Sequence, residues 1–299
     1  MSDLFSAIEE IVGKSGLIAG DDVRQRPADW RGRSSCQALA IVRPRSTDEV
    51  SQILKICTQY KQPVVAAGGL TGLVHGADAS PQEIVISFER MTSIEAVDPV
   101  GRTMTVQAGA QLQKVQEVAA DAGLLYAVDL GARGSATIGG TISTNAGGNQ
   151  VLRYGMTREQ VLGIEAVLAD GTIISSMNRL LKNNSGYDLK QLFIGTEGTL
   201  GVVTRAVLRL MPQPHEGRTA LLACDSFTAV TDLFRRLGEH YGAALTSFEV
   251  MWNSFFNCLD LCANGPYFLN LNRVAEIVKA TTGWDTSLWE LGKAAERCL

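Results

Sequence analysis

GSATIGGTISTNAGG, residues 134–148, is the middle one of three glycine-rich loops; GGLTGLVHGA (68–77) precedes it and GTEGTLGVVT (195–204) follows it. None fits the dinucleotide fingerprint G-x-G-x-x-G or the phosphate loop G-x-x-x-x-G-K-[ST]. Glycine permits positive φ and leaves its N–H unshielded by a side chain. Consecutive exposed N–H groups form concavities that attract anions. Taken singly, each loop reads as an ordinary turn. Taken together, with Ser, Thr and Asn interspersed, the three point to one extended, flat, anionic cofactor held mostly by main chain.

The bulk composition narrows the class. A chain of 299 residues makes one large or two ordinary domains, and its 45% hydrophobic and 19% charged content is that of a soluble globular protein. A net charge of −4 gives no sign of nucleic-acid or membrane-surface binding. No apolar run is long enough to span a bilayer, and the acidic, amphipathic start MSDLFSAIEEIVG is no signal peptide. Six scattered cysteines fit reduced thiols and a cytoplasmic location. Cys258 and Cys262 lie four apart without a second pair or a histidine, so no metal site is expected. His75, His215 and His240 share no ligand spacing either.

Outward from the loops, the pattern alternates helix and strand. Leu4, Ile8, Ile11 and Val12 predict an opening amphipathic helix. Ser46 and Glu49 form a capping-box pattern before a helix over 48–60. VVAA (64–67) then reads as a short buried strand running straight into the first glycine loop. Strands are expected at 84–88, 92–98 and 103–109, with a turn at Pro99 and Gly101, and a helix at 111–122. VLGIEAVLADGTIISS (161–176) reads as a hairpin with a two-residue Asp170-Gly171 turn, and a strand follows at 202–210. Pro212 and Pro214 mark a boundary. Beyond it, strand 218–224, helix 227–242 and strand 246–251 suggest a β-α-β unit. The mixture, with several antiparallel pairs, argues for an α+β fold.

The loops in this order resemble the flavin-binding domain of the vanillyl-alcohol oxidase and p-cresol methylhydroxylase superfamily. The closer likeness is to its FAD-linked 2-hydroxy-acid dehydrogenases, which oxidise D-lactate, glycolate or D-2-hydroxyglutarate. It covers roughly residues 21–251 and is carried by ISTNAGGNQVLRYGMTREQVLGIEAVLADGT (142–172), LLKNNSGYDLKQLFIGTEGTLGVVT (180–204) and FEVMW (248–252). The resemblance implies a p-cresol methylhydroxylase-type FAD-binding domain of two α+β subdomains over 21–213. An N-terminal helix (1–20) precedes it, and a truncated start of a substrate or cap domain (214–256) follows.

It also implies roles. The first loop would cradle the pyrophosphate through Gly68, Gly69, Leu70, Thr71, Gly72 and Leu73, with Ala77 close by. The second would run beside the pyrophosphate and the ring through Ser135, Thr137, Gly140, Thr141, Ser143, Asn145 and Gly148. The third would close over the cofactor through Glu197, Gly198 and Val202. Small residues with Thr and Asn suit a flavin ring, which needs flat walls and a few donors.

Two departures qualify the likeness. Relatives that hold flavin covalently resemble the first loop with a histidine directly after the two glycines; Leu70 stands there here, so non-covalent FAD is expected. His75 reads as a loop variant, with flavin attachment or base as the lesser alternative. The relatives also carry a histidine- and glutamate-bearing metal motif and a substrate arginine in the cap, and no counterpart is present. No catalytic base is therefore nominated. Asn145 and Lys182 lie in motifs that would border the flavin, and Lys182 reads equally as a solvated loop lysine.

Residues 257–299 change character. RVAEIVKATTGWD (273–285) resembles the C-terminal helical region of aldehyde ferredoxin oxidoreductases, so these residues read as a helical tail of foreign origin, joined between Trp252 and Cys262. Cys262 reads as a free thiol, because no cysteine array accompanies it. Two functions stay open: an impaired FAD-dependent 2-hydroxy-acid dehydrogenase, or a cofactor-binding remnant without turnover. The small hydroxy acid is the expected partner of the first, and the electron acceptor is not legible. An open cap edge offers a route to oligomers through strand addition.

Overall fold

The structure, a computed structural model, describes residues 2–32, 34–224 and 226–250. The tail expected at 257–299, its junction, and Cys258, Cys262 and Cys298 lie outside the described residues. The chain divides into two compact units, Met1–His215 and Glu216–Leu299.

In the first unit the elements run α1 (Ser2–Val12), β1 (Leu17–Ala19), α2 (Asp21–Arg24), β2 (Ala40–Val42), α3 (Thr47–Gln59), β3 (Val64–Ala67), β4 (Ile84–Ser87), β5 (Ile94–Asp98) and β6 (Thr103–Gln107). They continue with α4 (Leu112–Asp121), β7 (Leu124–Leu125), α5 (Ile138–Ser143), α6 (Val151–Tyr154), β8 (Val161–Val167), β9 (Ile173–Ser176), α7 (Lys190–Phe193), β10 (Val202–Arg209) and β11 (Met211–Pro212). A four-stranded mixed sheet has the order β1-β2-β4-β3, with β2, β4 and β3 parallel. A five-stranded sheet, β5-β6-β10-β8-β9, is antiparallel throughout. The unit is thus two α+β layers, as the alternating pattern implies.

Each sheet has its own core. Leu4, Ile8 and Val12 of α1, with Val50, Ile53, Leu54 and Cys57 of α3, pack on Ala40, Val42, Ile84 and Ile86 of the mixed sheet. Val115 and Ala119 of α4, with Ile138 and Ile142 of α5, cover Met104, Val106, Ala206 and Leu208 of the antiparallel one. The helical spacing of these apolar positions is why the helices form where they do. Ser46 caps α3 by accepting from the Glu49 N–H at 3.2 Å. The Glu49 carboxylate accepts from the Arg45 N–H at 2.7 Å rather than from Ser46, so only half of the capping box closes.

A buried carboxylate joins the layers. Glu165 on β8 accepts from Thr47 Oγ1 at the start of α3 (2.6 Å) and from Ser175 Oγ on β9 (3.1 Å). Arg205 on β10 lies 3.4 Å from both Glu165 oxygens and forms a bidentate pair with Glu95 on β5 at 2.9 and 2.6 Å. A charge removed from water survives only with partners of this kind.

Four sequence expectations are corrected. The second glycine loop contains a helix, α5, because Thr137 Oγ1 accepts from the Gly140 N–H at 3.3 Å and caps it. β3 is half-buried rather than buried. The β8–β9 hairpin pairs Val167 with Ile173, so its connection is longer than two residues. The Gly171 N–H donates to the Leu168 carbonyl at 2.9 Å and Gly171 takes φ +85°, a turn closed by a left-handed glycine. In the second unit α8 (Phe227–Tyr241) forms, capped by Ser226, but 218–224 and 246–250 make no strand among the described residues. A strand exists only by pairing. Among the described residues of this unit, α8 is thus the one regular element besides the short 3-10 turn Gly242–Ala244.

Main chain crosses main chain at the exit of β6. The Ala108 N–H donates to the Thr204 carbonyl and the Gly109 N–H to the Met91 carbonyl, both at 2.8 Å; the Gly139 N–H donates to the Ala108 carbonyl at 2.7 Å. A Cβ on Gly109 would overlap the Phe88 carbonyl oxygen. Gly109→Ala is therefore expected to destabilise the fold by about 2–4 kcal/mol in urea unfolding. Gly131→Ala, where nothing lies within 4 Å, should cost less than about 0.5 kcal/mol.

Candidate functional site

β3 ends at Ala67 and the chain turns into 68–77, at the carboxyl end of a parallel pair of strands, where ligands of α/β sheets collect. No protein acceptor among the described residues takes a hydrogen bond from any main-chain N–H of residues 68–77. Ten consecutive amides without a protein partner are donors for a ligand or solvent. Leu70 and His75 hold left-handed φ values of 55° and 63° in this stretch. Non-glycine residues in that region carry strain that concentrates at functional sites.

The amides open on a cavity of about 350 Å³, within the size range of small-molecule sites. The first loop supplies Gly68, Gly69, Leu70, Thr71, Gly72, Leu73 and Ala77, all expected from the sequence. The second supplies Thr137, Gly140, Thr141 and Ser143, and the third supplies Glu197, Gly198 and Val202. Ala66, Phe88, Ala108, Leu130 and Val203 line it as well. The glycine runs do not mark these five, which are apolar residues in or near strand ends and, for Leu130, in the connection from β7 to α5.

Three expected residues do not line the cavity. The carbonyl of Ser135 backs Gly69, where any Cβ would overlap it. Gly148, at φ +83°, lets the backbone pass against the Asp129 carbonyl. Asn145, at φ 47°, accepts the Arg158 N–H on its Oδ1 at 3.0 Å. Each of these shapes the wall from behind.

Hydrogen bonds join the loops. The Gly195 N–H donates to the Ile142 carbonyl at 3.1 Å and the Glu197 N–H to the Ser143 carbonyl at 2.9 Å. Glu197, itself at φ 52°, brings its carboxylate over Gly76, so that a Cβ there would sit 2.6 Å from Oε2.

Glu197 is the only ionisable side chain among the lining residues. His75 and Lys182 do not line the cavity; His75 is exposed and its Nδ1 lies 2.9 Å from Asp78 Oδ2. Burial pushes the Cys57 thiol up to about 11, which keeps it protonated and inert near neutral pH. No group of three or more His, Cys, Asp or Glu among the described residues could hold a metal ion. No helix among them is long and apolar enough to cross a membrane. The cavity can therefore bind an anion through main chain and a flat apolar group through its walls, with one carboxylate beside them.

The FAD binding domain family matches residues 38–176. The chain is similar to the mitochondrial D-2-hydroxyglutarate dehydrogenase of Bos taurus, 39% identical over 83% of this chain and 46% of that protein. It is also similar to the D-2-hydroxyglutarate dehydrogenase of Xanthomonas citri pv. viticola, 44% identical over 71% of this chain and 45% of that protein. Among solved structures, an alkyldihydroxyacetonephosphate synthase superposes with a TM-score of 0.64 at 20% identity, covering 72% of this chain and 41% of its own, which shows a shared fold. The chain spans about half the length of the curated relatives it matches.

Gly69→Ala would force the first loop off the Ser135 carbonyl. A loss of about 1–3 kcal/mol in urea unfolding is expected, with faster limited proteolysis within 68–77.

Proposed function

We propose that this chain, which belongs to the FAD-binding flavoproteins that include the FAD-linked 2-hydroxy-acid dehydrogenases, binds FAD non-covalently and serves the oxidation of a small D-2-hydroxy acid. The run of partnerless amides over 68–77, facing a cavity with largely apolar walls, carries this reading. FAD joins a dianionic pyrophosphate to a flat ring, and the chain offers one surface for each.

The amides of the first loop, with the Thr71 hydroxyl beside them, hold the pyrophosphate. Thr137, Thr141 and Ser143 offer hydroxyls along the second wall, and Val202 and Val203 offer apolar surface. When bound, FAD supplies the hydride acceptor. Leu70 in place of a histidine, and a His75 turned toward Asp78, support a cofactor that is not tethered. D-2-Hydroxyglutarate and D-lactate are the substrates proposed. A cytoplasmic location accords with buried free thiols at Cys36 and Cys57.

A second reading, a cofactor-binding module without turnover, is favoured by one observation: Glu197 alone among the lining residues can exchange a proton. One experiment separates the two. The purified full chain, loaded with FAD and freed of excess, is expected to show flavin absorbance and to release its flavin on acid precipitation. Anaerobic D-2-hydroxyglutarate or D-lactate should then bleach it. Flavin held without bleaching gives the second reading; a chain that takes up no FAD overturns both.

A point substitution tests the anion cradle. Gly72 lines the cavity with ordinary φ, and nothing lies within 4 Å of a Cβ there. Gly72→Asp thus adds a carboxylate without a clash, and should weaken FAD binding by about tenfold to a hundredfold in a fluorescence titration.

A further inference from the structure

We infer that Arg158, which does not line the cavity, is a positioning residue for the cofactor: it clamps the third glycine loop to the second. The inference rests on the reading of the cavity as an FAD site.

Arg158 sits in a short 3-10 turn, Thr157–Gln160, directly after α6. That turn is anchored to the end of the second loop. Thr157 is fully buried, and both its N–H and its Oγ1 donate to the Ala146 carbonyl, at 2.9 and 2.7 Å. The Arg158 N–H donates to Asn145 Oδ1 at 3.0 Å, and Asn145 is held in the left-handed region.

The guanidinium reaches the other way. Nη1 donates to the Gln191 carbonyl at 3.1 Å and to Gln191 Oε1, and Nη2 donates to the Ile194 carbonyl at 2.7 Å. These carbonyls lie at the C-terminal end of α7, where helical carbonyls lack partners and a cation is favoured. Among the described residues no carboxylate pairs with Arg158. Its fork is given wholly to neutral oxygens, so its contribution is geometric: a planar cation with several donors bonds one rigid segment to another.

What it holds is the root of the third loop. Nη2 is 3.6 Å from the position a Cβ would take on Gly195, and Gly195 bonds back to Ile142. Two residues on, Glu197 bonds to Ser143 and, with Gly198, lines the cavity. Without the clamp, the hydrogen bonds from 195–198 to the second loop among the described residues are the amide bonds of Gly195 and Glu197 to α5, since Thr196 bonds locally to the Phe193 carbonyl. The Asn145 side chain, in the motif expected to border the flavin, accepts from the Arg158 main chain.

The test uses the full chain. Arg158→Ala should weaken FAD binding by about tenfold to a hundredfold, the scale set by losing the three guanidinium hydrogen bonds. Hydrogen–deuterium exchange of the cofactor-free protein should speed up in peptides covering 191–198 and stay unchanged over α1 and α3. Millimolar guanidinium should restore part of the affinity, and ammonium should not. Arg153→Ala, which removes an exposed arginine stacked on Tyr154, should leave FAD affinity unchanged.

Should Arg158→Ala not fold, Arg158→Lys decides. It keeps the charge but loses the fork, and a smaller loss of affinity with faster exchange at 191–198 is expected. Parent-like affinity in the variant overturns the proposal, as does lost affinity with unchanged exchange at 191–198. A parent chain that takes up no FAD overturns the cofactor reading itself, and the exchange pattern then reports whether the clamp exists without a cofactor to serve.

Discussion

The cavity depends on the main-chain crossing at Ala108–Ala110. Four segments meet there: the exit of β6, the exit of β4, the start of α5 and the middle of β10. Backbone donors and acceptors join them directly, and Gly109 and Gly139 carry no side chain to hold them apart. Were the chain at Gly139 to bear a Cβ, that atom would stand 2.8 Å from the Cβ of Ala108. Phe88, Ala108 and Gly139 all line the cavity, so this crossing is also its floor. Close approach of backbones makes the site possible, and glycine permits the approach.

From that floor the three loops divide the labour. The first keeps its amides unpartnered among the described residues and so offers donors to a ligand. The second is bonded largely within itself and to the exit of β6: Thr137 caps α5, Thr141 and Ala146 close on their own turn, and Ile138 and Gly139 donate to Ala110 and Ala108. It is the rigid wall against which the others are set. The third leans on the second through Gly195, Glu197 and the guanidinium of Arg158. Left-handed non-glycine residues occur in all three loops, at Leu70 and His75, at Asn145 and at Glu197. Strain is kept where a satisfied scaffold surrounds it.

Much of this was legible. Sequence pattern marks α3, α4 and α8 within a residue or two, while the opening helix, expected over 1–20, ends at Val12 and gives way to β1 at Leu17–Ala19. The glycine runs marked all three loops, and fourteen of the seventeen expected site residues line the cavity. Ser135, Asn145 and Gly148 do not line it and instead meet other loops, because glycine, serine and asparagine are equally suited to touching a cofactor and to touching a neighbouring segment. The sequence does not distinguish a backbone freed for a ligand from one freed for a neighbour. Residues 218–224 and 246–250, expected as strands, form none among the described residues and show the same limit: β-propensity describes a surface that fits a sheet, and pairing decides whether a strand exists.

By itself, then, the order of amino acids determined the class of fold, the helices and the chemistry on offer: a chain that presents bare amides and small walls to an extended anion. Periodicity and glycine content are local properties, and local physics suffices to read them. Only the tertiary structure decided which amides remain unpartnered, that α5 lies hidden in a glycine run, that Glu165 unites the two layers and that Arg158 holds the third loop. Each of these depends on a contact between residues distant in the chain. Arg158 and Ile194 are 36 residues apart, and Thr47 and Glu165 are 118 apart. No local pattern encodes such a pairing; it follows from the packing of the two cores.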